Sequence, residues 1–257
     1  MRVDLVSVLA VTATVTIERR FNGPPDSANG GYACGLLASA IDGIAEVSLR
    51  APPPLDAELT VEGGGDAARL LHGDTLVAEA VAVGPESFVE PPVGVSAGEA
   101  RTAEGLSTYL NADTHPFPTC FVCGPLREDG DGLRIFPGPV DRRATFACAW
   151  TPSESVAGGD GTVPEEVVWA ALDCPTSAPG MNAPGPDGRV LPIVLARLAV
   201  DVRGPVEAGA EHMITSWEIA RDGRKREAGA ALYSVEGGDE LLALARALWI
   251  ELRAVPS

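Results

Sequence analysis

The most constraining feature of this sequence is an internal repeat. Residues 49–52, Leu-Arg-Ala-Pro, return as residues 202–205, Val-Arg-Gly-Pro, and residues 74–80 are echoed in the same order by residues 239–245. In each half, a glycine-rich turn and one candidate helix precede the Arg-x-Pro strand. Because each of two similar units exposes an apolar face that the other can cover, we expect the chain to fold as two related halves.

The candidate helices have recognisable ends. The first is predicted over about residues 31–41, after a turn rich in glycine, proline and asparagine. The second is predicted to begin at Pro164-Glu165-Glu166, because proline and acidic residues favour the first helical turn. It is predicted to stop at Cys174-Pro175, since a proline disfavours helical backbone in the residue before it.

Most of the remaining segments read as antiparallel strands. Alternation over residues 198–203 predicts a strand, and Asp222-Gly223 is typical of a hairpin turn. Residues 241–252 fit either a helix or a strand, and the repeat favours a strand because the matching residues 76–83 run directly into a turn. A connector with a short helix near residues 99–110 is predicted between the halves, and residues 178–188 are predicted to form a loop.

Composition limits the classes of function. The 257 residues carry a formal net charge of −17, which argues against nucleic acid as a partner. No apolar run reaches the roughly 18 residues of a membrane span, so no membrane partner is expected. The apolar residues 3–11 lead into an alternating segment at residues 11–18, which favours a strand over a signal peptide. Five cysteines without a secreted-type framework favour a cytoplasmic protein with reduced thiols.

Three short motifs resemble one protein family. Asn29-Gly30-Gly31-Tyr32 followed by an apolar helix is similar to the Asn-Gly-Gly or His-Gly-Gly helix start of acyl-CoA thioesterases. Arg50-Ala51-Pro52 is similar to the strand that follows their central helix. Residues 120–125 and 132–135 resemble the first strand of many single hotdog domains. The chain thus resembles the double hotdog proteins of the thioesterase-like superfamily, of the acyl-CoA thioesterase II type.

The resemblance implies an α+β fold in which two tandem copies each wrap an antiparallel sheet around one central helix. The expected boundaries are residues 1–83 for the N-terminal copy, 84–115 for the connector and 116–257 for the C-terminal copy. It also implies acyl-CoA or an acyl-carrier-protein thioester as the partner, with no cofactor. A homodimer of double hotdogs is an arrangement open to such a chain.

The resemblance also implies the site residues. Hotdog hydrolases use a carboxylate near a central helix, and Asp173, among apolar neighbours that would raise its pKa, matches that position. Asn29 is expected to act with it, and Asp42 is the alternative acid. In the acyl-CoA thioesterase II type the helix aspartate works with a Thr and a Gln on strands, and this sequence contains no Gln. The expected substrate-binding residues are Gly30, Gly31, Tyr32, Arg50 and Arg203. The amides of the two glycines would polarise the thioester carbonyl, and the two arginines would bind the ligand's phosphates.

Cysteine and serine motifs offer other chemistry. Cys120-x-x-Cys123 with His115 nearby invites a zinc hypothesis, but zinc takes four ligands and no second pair has suitable spacing. Cys148 or a partner chain would complete such a site only through geometry that the sequence does not show, so no metal is expected. Ser96 lies in a Gly-x-Ser-x-Gly motif without the preceding strand that a nucleophile elbow requires.

The sequence is therefore compatible with three functions. The favoured one is an acyl-thioester hydrolase with an aspartate general base and a helix N-terminus that stabilises the oxyanion. The alternatives are a non-catalytic protein that binds an acyl thioester or another apolar ligand, and a hotdog hydratase or dehydratase. The last ranks lower because neither helix begins with a histidine.

Overall fold

The computed structural model describes residues 12–92, 94–182, 193–236 and 238–252. Within these residues the chain forms three α-helices and eleven strands that join in one sheet. The helices are α1 (Gly30–Ala38), α2 (Ala97–Glu104) and α3 (Glu165–Met181). The strands are β1 (Thr12–Thr16), β2 (Ala45–Leu49), β3 (Glu58–Gly64), β4 (Ala67–His72), β5 (Thr75–Ala82), β6 (Gly138–Pro139), β7 (Thr145–Trp150), β8 (Ile193–Val202), β9 (His212–Asp222), β10 (Lys225–Ser234) and β11 (Leu241–Glu251).

The sheet consists of two equivalent halves. Its order is β1-β3-β4-β5-β2-β8-β11-β10-β9-β7-β6, with neighbouring strands antiparallel throughout. Strands β1-β3-β4-β5-β2 therefore match β7-β9-β10-β11-β8, and the two halves join where β2 pairs with β8. Each half packs one central helix, α1 or α3, against its strands. The predicted double hotdog fold is confirmed, while the exact limits of the two copies stay a prediction.

The repeat recognised in the sequence corresponds to repeated hydrogen bonds. The amides of Arg50 and the residue after it both donate to the Val77 carbonyl, at 2.8 and 3.2 Å. The amides of Arg203 and the residue after it donate in the same way to the Leu242 carbonyl, at 2.7 and 3.2 Å. The Arg-x-Pro motif therefore marks the point where the strand leaves the sheet in both halves.

A second pair of hydrogen bonds aligns the helices. Ala28 donates to the Pro53 carbonyl at 2.9 Å, and Val163 donates to the Val206 carbonyl at 2.8 Å. Each donor lies two residues before its helix, so α1 and α3 begin at equivalent positions.

The predicted end of the second helix is wrong. Helix α3 continues through Pro175 to Met181, with Pro179 also inside it. A proline inside a helix removes one backbone hydrogen bond. The helical turn after Pro175 is nevertheless formed, because Ala178 is completely buried and a side chain of the sheet forms a hydrogen bond with this turn. The Trp249 indole N–H donates to the Thr176 hydroxyl at 2.9 Å, and this hydroxyl donates to the helix carbonyl three residues earlier. Tertiary packing thus outweighs the local cost of the proline.

The predicted loop after this helix changes accordingly. Its first residues, 178–181, belong to α3, and residues 183–188 lie outside the described residues. The first helix is also shorter than predicted, because α1 ends at Ala38.

One further expectation is wrong: residues 120–125 and 132–135, which resemble a first strand, form turns and irregular backbone, and the strand that corresponds to β1 is β7. The remaining local predictions hold in the structure. Residues 241–251 form strand β11, strand β1 forms within the predicted alternating segment, and the hairpin between β9 and β10 turns at Gly223 with φ of 56°. The apolar segment at residues 3–11 lies outside the described residues. Among the helices described, none has the length and apolar character needed to cross a membrane.

The connector contains helix α2, as predicted. Ser96 is its N-cap: the Ser96 hydroxyl accepts from the Glu99 amide and bonds the Glu99 carboxylate at 2.8 Å. This serine therefore caps a helix and has none of the geometry of a nucleophile elbow.

Candidate active site

The central helices cross at two glycines of α1. A Cβ at Gly31 would lie 2.5 Å from the Asp173 Cβ and 2.7 Å from the Trp169 carbonyl oxygen, and one at Gly35 would lie 2.5 Å from the Glu166 Cα. As α1 advances, its neighbours on α3 move backwards along the chain, so the helices are antiparallel. The absence of side chains on these glycines lets the first turn of α1 reach the middle of α3.

Three residues expected at the site lie together at this crossing. Oδ2 of Asp173 accepts hydrogen bonds from the Asn29 side-chain amide and from the Gly31 backbone amide, both at 2.9 Å. Oδ1 of Asn29 accepts from the Tyr32 backbone amide at 2.9 Å and so caps α1. Asn29 therefore uses one side chain both to start its helix and to hold a carboxylate of the other half.

The other oxygen of this carboxylate is free. Oδ1 of Asp173 is buried and has no hydrogen-bond partner among the described residues. Burial of the side chain, which is 2% exposed, raises the pKa of Asp173 from 3.8 to about 7. The hydrogen bonds from Gly31 and Asn29 oppose this shift, because they stabilise the ionised form. The site thus contains an oriented carboxylate with one unsatisfied oxygen.

Gly30 lies at the edge of the same site. It is partly exposed, and it is the first residue of α1, whose N–H lies outside the hydrogen-bond pattern of the helix itself. A Cβ at this position would lie 2.9 Å from Leu195 Cδ2 and 3.1 Å from Leu49 Cδ1. An amide at the positive end of a helix therefore borders apolar side chains from β2 and β8, where the two halves join.

Tyr32 lies in an aromatic cluster beside the first turn of α1. Its ring stacks on Phe21 with centroids 4.0 Å apart, and Phe121 packs edge-on against both rings. The Phe121 amide donates to the Asn22 carbonyl at 2.7 Å, which fixes the segment carrying Cys120 against the start of α1. Burial raises the pKa of Tyr32 to about 12, so its hydroxyl stays neutral.

Arg50 and Arg203 are placed outside this cluster. Both are exposed at the ends of their strands, and each forms an ion pair with an acidic residue of its own half. Arg50 pairs with Glu79, and Arg203 Nε lies 2.8 Å from Asp201 Oδ2. Among the described residues, neither arginine forms a hydrogen bond with Asn29 or Asp173. The two residues expected to bind the ligand's phosphates therefore do not contact the carboxylate.

The equivalent position in the other half lacks an acid. Asp173 is the ninth residue of α3, and the ninth residue of α1 is Ala38. The N-cap that corresponds to Asn29 is Pro164, which supplies no side-chain hydrogen bond. A surface cavity of about 460 Å³ lies at this second junction, and its lining includes Ala38 and Glu165. Asp173 lines neither this cavity nor another one of about 510 Å³ elsewhere on the surface. Of the two equivalent helix junctions in the described residues, therefore, one has the carboxylate and its asparagine partner and the other has neither.

A cluster of three thiols lies next to the site. The sulfurs of Cys120, Cys123 and Cys174 are within 4.8 Å of one another, and those of Cys120 and Cys174 are 3.8 Å apart. All three side chains are buried. From the sequence, Cys148 was a candidate for a third sulfur beside Cys120 and Cys123. In the structure the third sulfur is that of Cys174. No spacing in the sequence signals this, because the third sulfur comes from helix α3.

Comparison with solved structures supports the fold. The tesB protein of Mycobacterium avium subsp. paratuberculosis is 14% identical, with 94% of this chain and 93% of that chain covered and a TM-score of 0.60. A candidate thioesterase from Novosphingobium aromaticivorans is 12% identical, with 94% and 96% covered and a TM-score of 0.61. A hotdog protein of unknown function from Alicyclobacillus acidocaldarius is 11% identical, with 95% and 94% covered and a TM-score of 0.50. No protein-family model and no curated protein matches the sequence.

Proposed function

We propose that the chain hydrolyses acyl thioesters, with acyl-CoA or an acyl-carrier-protein thioester as substrate. The observation that carries this proposal is the hydrogen bond between Asn29 of one half and Asp173 of the other, at the N-terminus of α1. The thioesterase name of the Novosphingobium aromaticivorans neighbour, which covers 94% of this chain, adds support.

In this reaction Asp173 acts as the general base. Asn29 and Gly31 hold Oδ2, so the unpartnered Oδ1 is the oxygen that takes a proton from water. The water oxygen then bonds to the thioester carbonyl carbon. The carbon–sulfur bond breaks, and the leaving thiolate receives the proton from Asp173. The products are a carboxylic acid and a free thiol, and water is the only co-reactant.

The helix N-terminus supplies the oxyanion site. The Gly31 amide was expected to serve here, but it donates to Asp173 at 2.9 Å. The Gly30 amide, at the positive end of the α1 dipole, is the donor we assign to the carbonyl oxygen. Leu49 and Leu195 border Gly30, so the start of the acyl chain would lie against them.

A second candidate function is ligand binding without turnover. One observation favours it: the Asp173 side chain is only 2% exposed, so a thioester reaches its carboxylate only if the neighbouring side chains move. A protein that stays closed would hold an acyl ligand near Gly30 and leave its thioester intact.

The test is thiol release from a panel of acyl-CoA esters of increasing chain length, with wild type beside Asp173→Asn. Asparagine can still accept both hydrogen bonds through its oxygen but is a far weaker base. We expect its kcat to fall on the order of 10²- to 10³-fold with the fold intact. Asp42→Asn, which removes the alternative acid, is the matched control and should equal wild type.

Full activity of Asp173→Asn would remove Asp173 from the mechanism. Binding of an acyl-CoA by wild type without thiol release from any ester would instead establish the ligand-binding alternative.

A further inference from the structure

The feature with most unexplained chemistry is the cluster of Cys120, Cys123 and Cys174. Two of its sulfurs come from one turn before β6, and the third comes from the middle of α3, so the cluster joins two segments of the fold. The proposed hydrolysis uses none of these thiols.

The turn that carries Cys120 and Cys123 is compact and holds both thiols in the protein interior. The turn closes with a hydrogen bond from Gly124 N to the Cys120 carbonyl at 2.9 Å. A Cβ on Gly124 would lie 2.5 Å from that same oxygen, so only glycine fits after the second cysteine.

The spacing of the sulfurs suits a metal ion. Zinc–sulfur bonds of about 2.3 Å in a tetrahedral arrangement place two sulfurs roughly 3.8 Å apart. The Cys120 and Cys174 sulfurs are 3.8 Å apart, and Cys123 lies within 4.8 Å of both. Small side-chain rotations would therefore bring all three sulfurs around one ion.

Burial favours a metal over redox chemistry. Oxidants act on exposed, low-pKa thiols, whereas Cys120 is 3%, Cys123 5% and Cys174 6% exposed. Soft thiolate ligands select zinc or copper(I) among common ions. The net charge of −17 also favours uptake of a cation.

His115 is a further ligand type close in sequence to the cysteine pair, but its hydrogen bonding opposes coordination. Its Nδ1 accepts from the Phe117 amide at 3.0 Å, so Nε2 carries the ring proton. Nε2 is buried and has no partner among the described residues. We therefore count three ligands from the protein and leave the fourth position to an exogenous donor.

We propose that Cys120, Cys123 and Cys174 bind one zinc ion through three thiolates, which pins the segment before β6 to helix α3. This proposal revises the expectation of no metal, because that expectation counted only two sulfurs. It does not rest on the proposed thioesterase activity, and it can fail or hold independently of it.

The experiment measures metal content of the full chain after incubation with Zn²⁺ and removal of excess ion. We expect about one zinc per chain in wild type, and a loss of at least about tenfold in affinity in Cys123→Ser and Cys174→Ser. Cys34→Ser and Cys148→Ser are the matched controls, because both thiols are buried but lie outside the cluster. They should keep the zinc.

Cobalt substitution gives a readout that does not depend on the variants folding. Wild type loaded with Co²⁺ should show the sulfur-to-cobalt charge-transfer absorption of a thiolate site. The proposal is overturned if wild type binds neither ion while all five thiols titrate in denaturant. It is equally overturned if a disulfide links two of the three cysteines, or if Cys123→Ser and Cys174→Ser both fold and keep full zinc content.

Discussion

The side-chain amide of Asn29 donates to Oδ2 of Asp173 across 2.9 Å, although 144 positions separate the two residues in the chain. One residue starts the helix of the first half, and the other lies in the middle of the helix of the second half. The candidate site therefore exists only when both halves of the repeat are folded against each other.

Asn29→Ser should separate the two tasks of this side chain. Serine can still cap α1, so the helix should form, and the free energy of unfolding should fall by about 1–3 kcal/mol because the buried Asp173 carboxylate loses one hydrogen bond. It cannot donate to Asp173 across the same distance, and we expect kcat/KM for an acyl-CoA to fall on the order of 10²-fold. Parallel measurement of urea unfolding and thiol release checks both parts. Unchanged kcat/KM would show that Asn29 only caps its helix.

Introducing an acid at the equivalent position should not create a second site. We expect the double variant Ala38→Asp, Asp173→Asn to stay as inactive as Asp173→Asn. Position 38 faces the start of α3, where Pro164 offers no amide and Glu165 adds negative charge. Rates of thiol release from the single and double variants make the comparison. Recovery of activity in the double variant would mean that the two helix junctions are functionally equivalent.

The glycine crossing should tolerate no side chain. Gly31→Ala places a methyl group 2.7 Å from the Trp169 carbonyl oxygen, which cannot move without shifting α3, and we expect a loss of about 3 kcal/mol or more in the free energy of unfolding. Gly98→Ala is the control, because Gly98 lies in α2 with nothing within 4 Å of its Cβ position. It should stabilise by about 0.4–1 kcal/mol. Chemical unfolding of both variants tests this, and equal effects would refute the close approach of α1 to α3.

His212 should make the fold sensitive to acid. Burial lowers the pKa of His212 below 6.5, while a hydrogen bond with the Ala210 carbonyl and the charges of Glu207 and Glu236 oppose the shift. The imidazole therefore binds a proton more readily in the unfolded chain than in the folded chain, so the free energy of unfolding falls as the pH drops below 6.5. His212→Asn, which can keep the bond to Ala210, should weaken this dependence. Unfolding of both proteins at about pH 5.5 and about pH 7.5 measures it, and identical pH dependence would contradict the prediction.

Local patterns in the sequence determined most of the fold. Alternation predicted β1 and β8, the Asp222-Gly223 pair predicted a hairpin, and the repeat resolved β11 as a strand. These features depend on backbone preferences and on side chains within a few residues of each other. All of these determinants are local to the sequence.

The tertiary structure decided what depends on distant packing. Helix α3 passes Pro175 because its next turn is buried against the sheet, and Cys174 joins Cys120 because the segment before β6 packs over the start of α1. The resemblance suggested Asn29 and Asp173 as partners, but only the glycine crossing at Gly31 sets their hydrogen bond. Burial and close approach between residues far apart in sequence leave no local pattern, so they become visible only when the chain is folded.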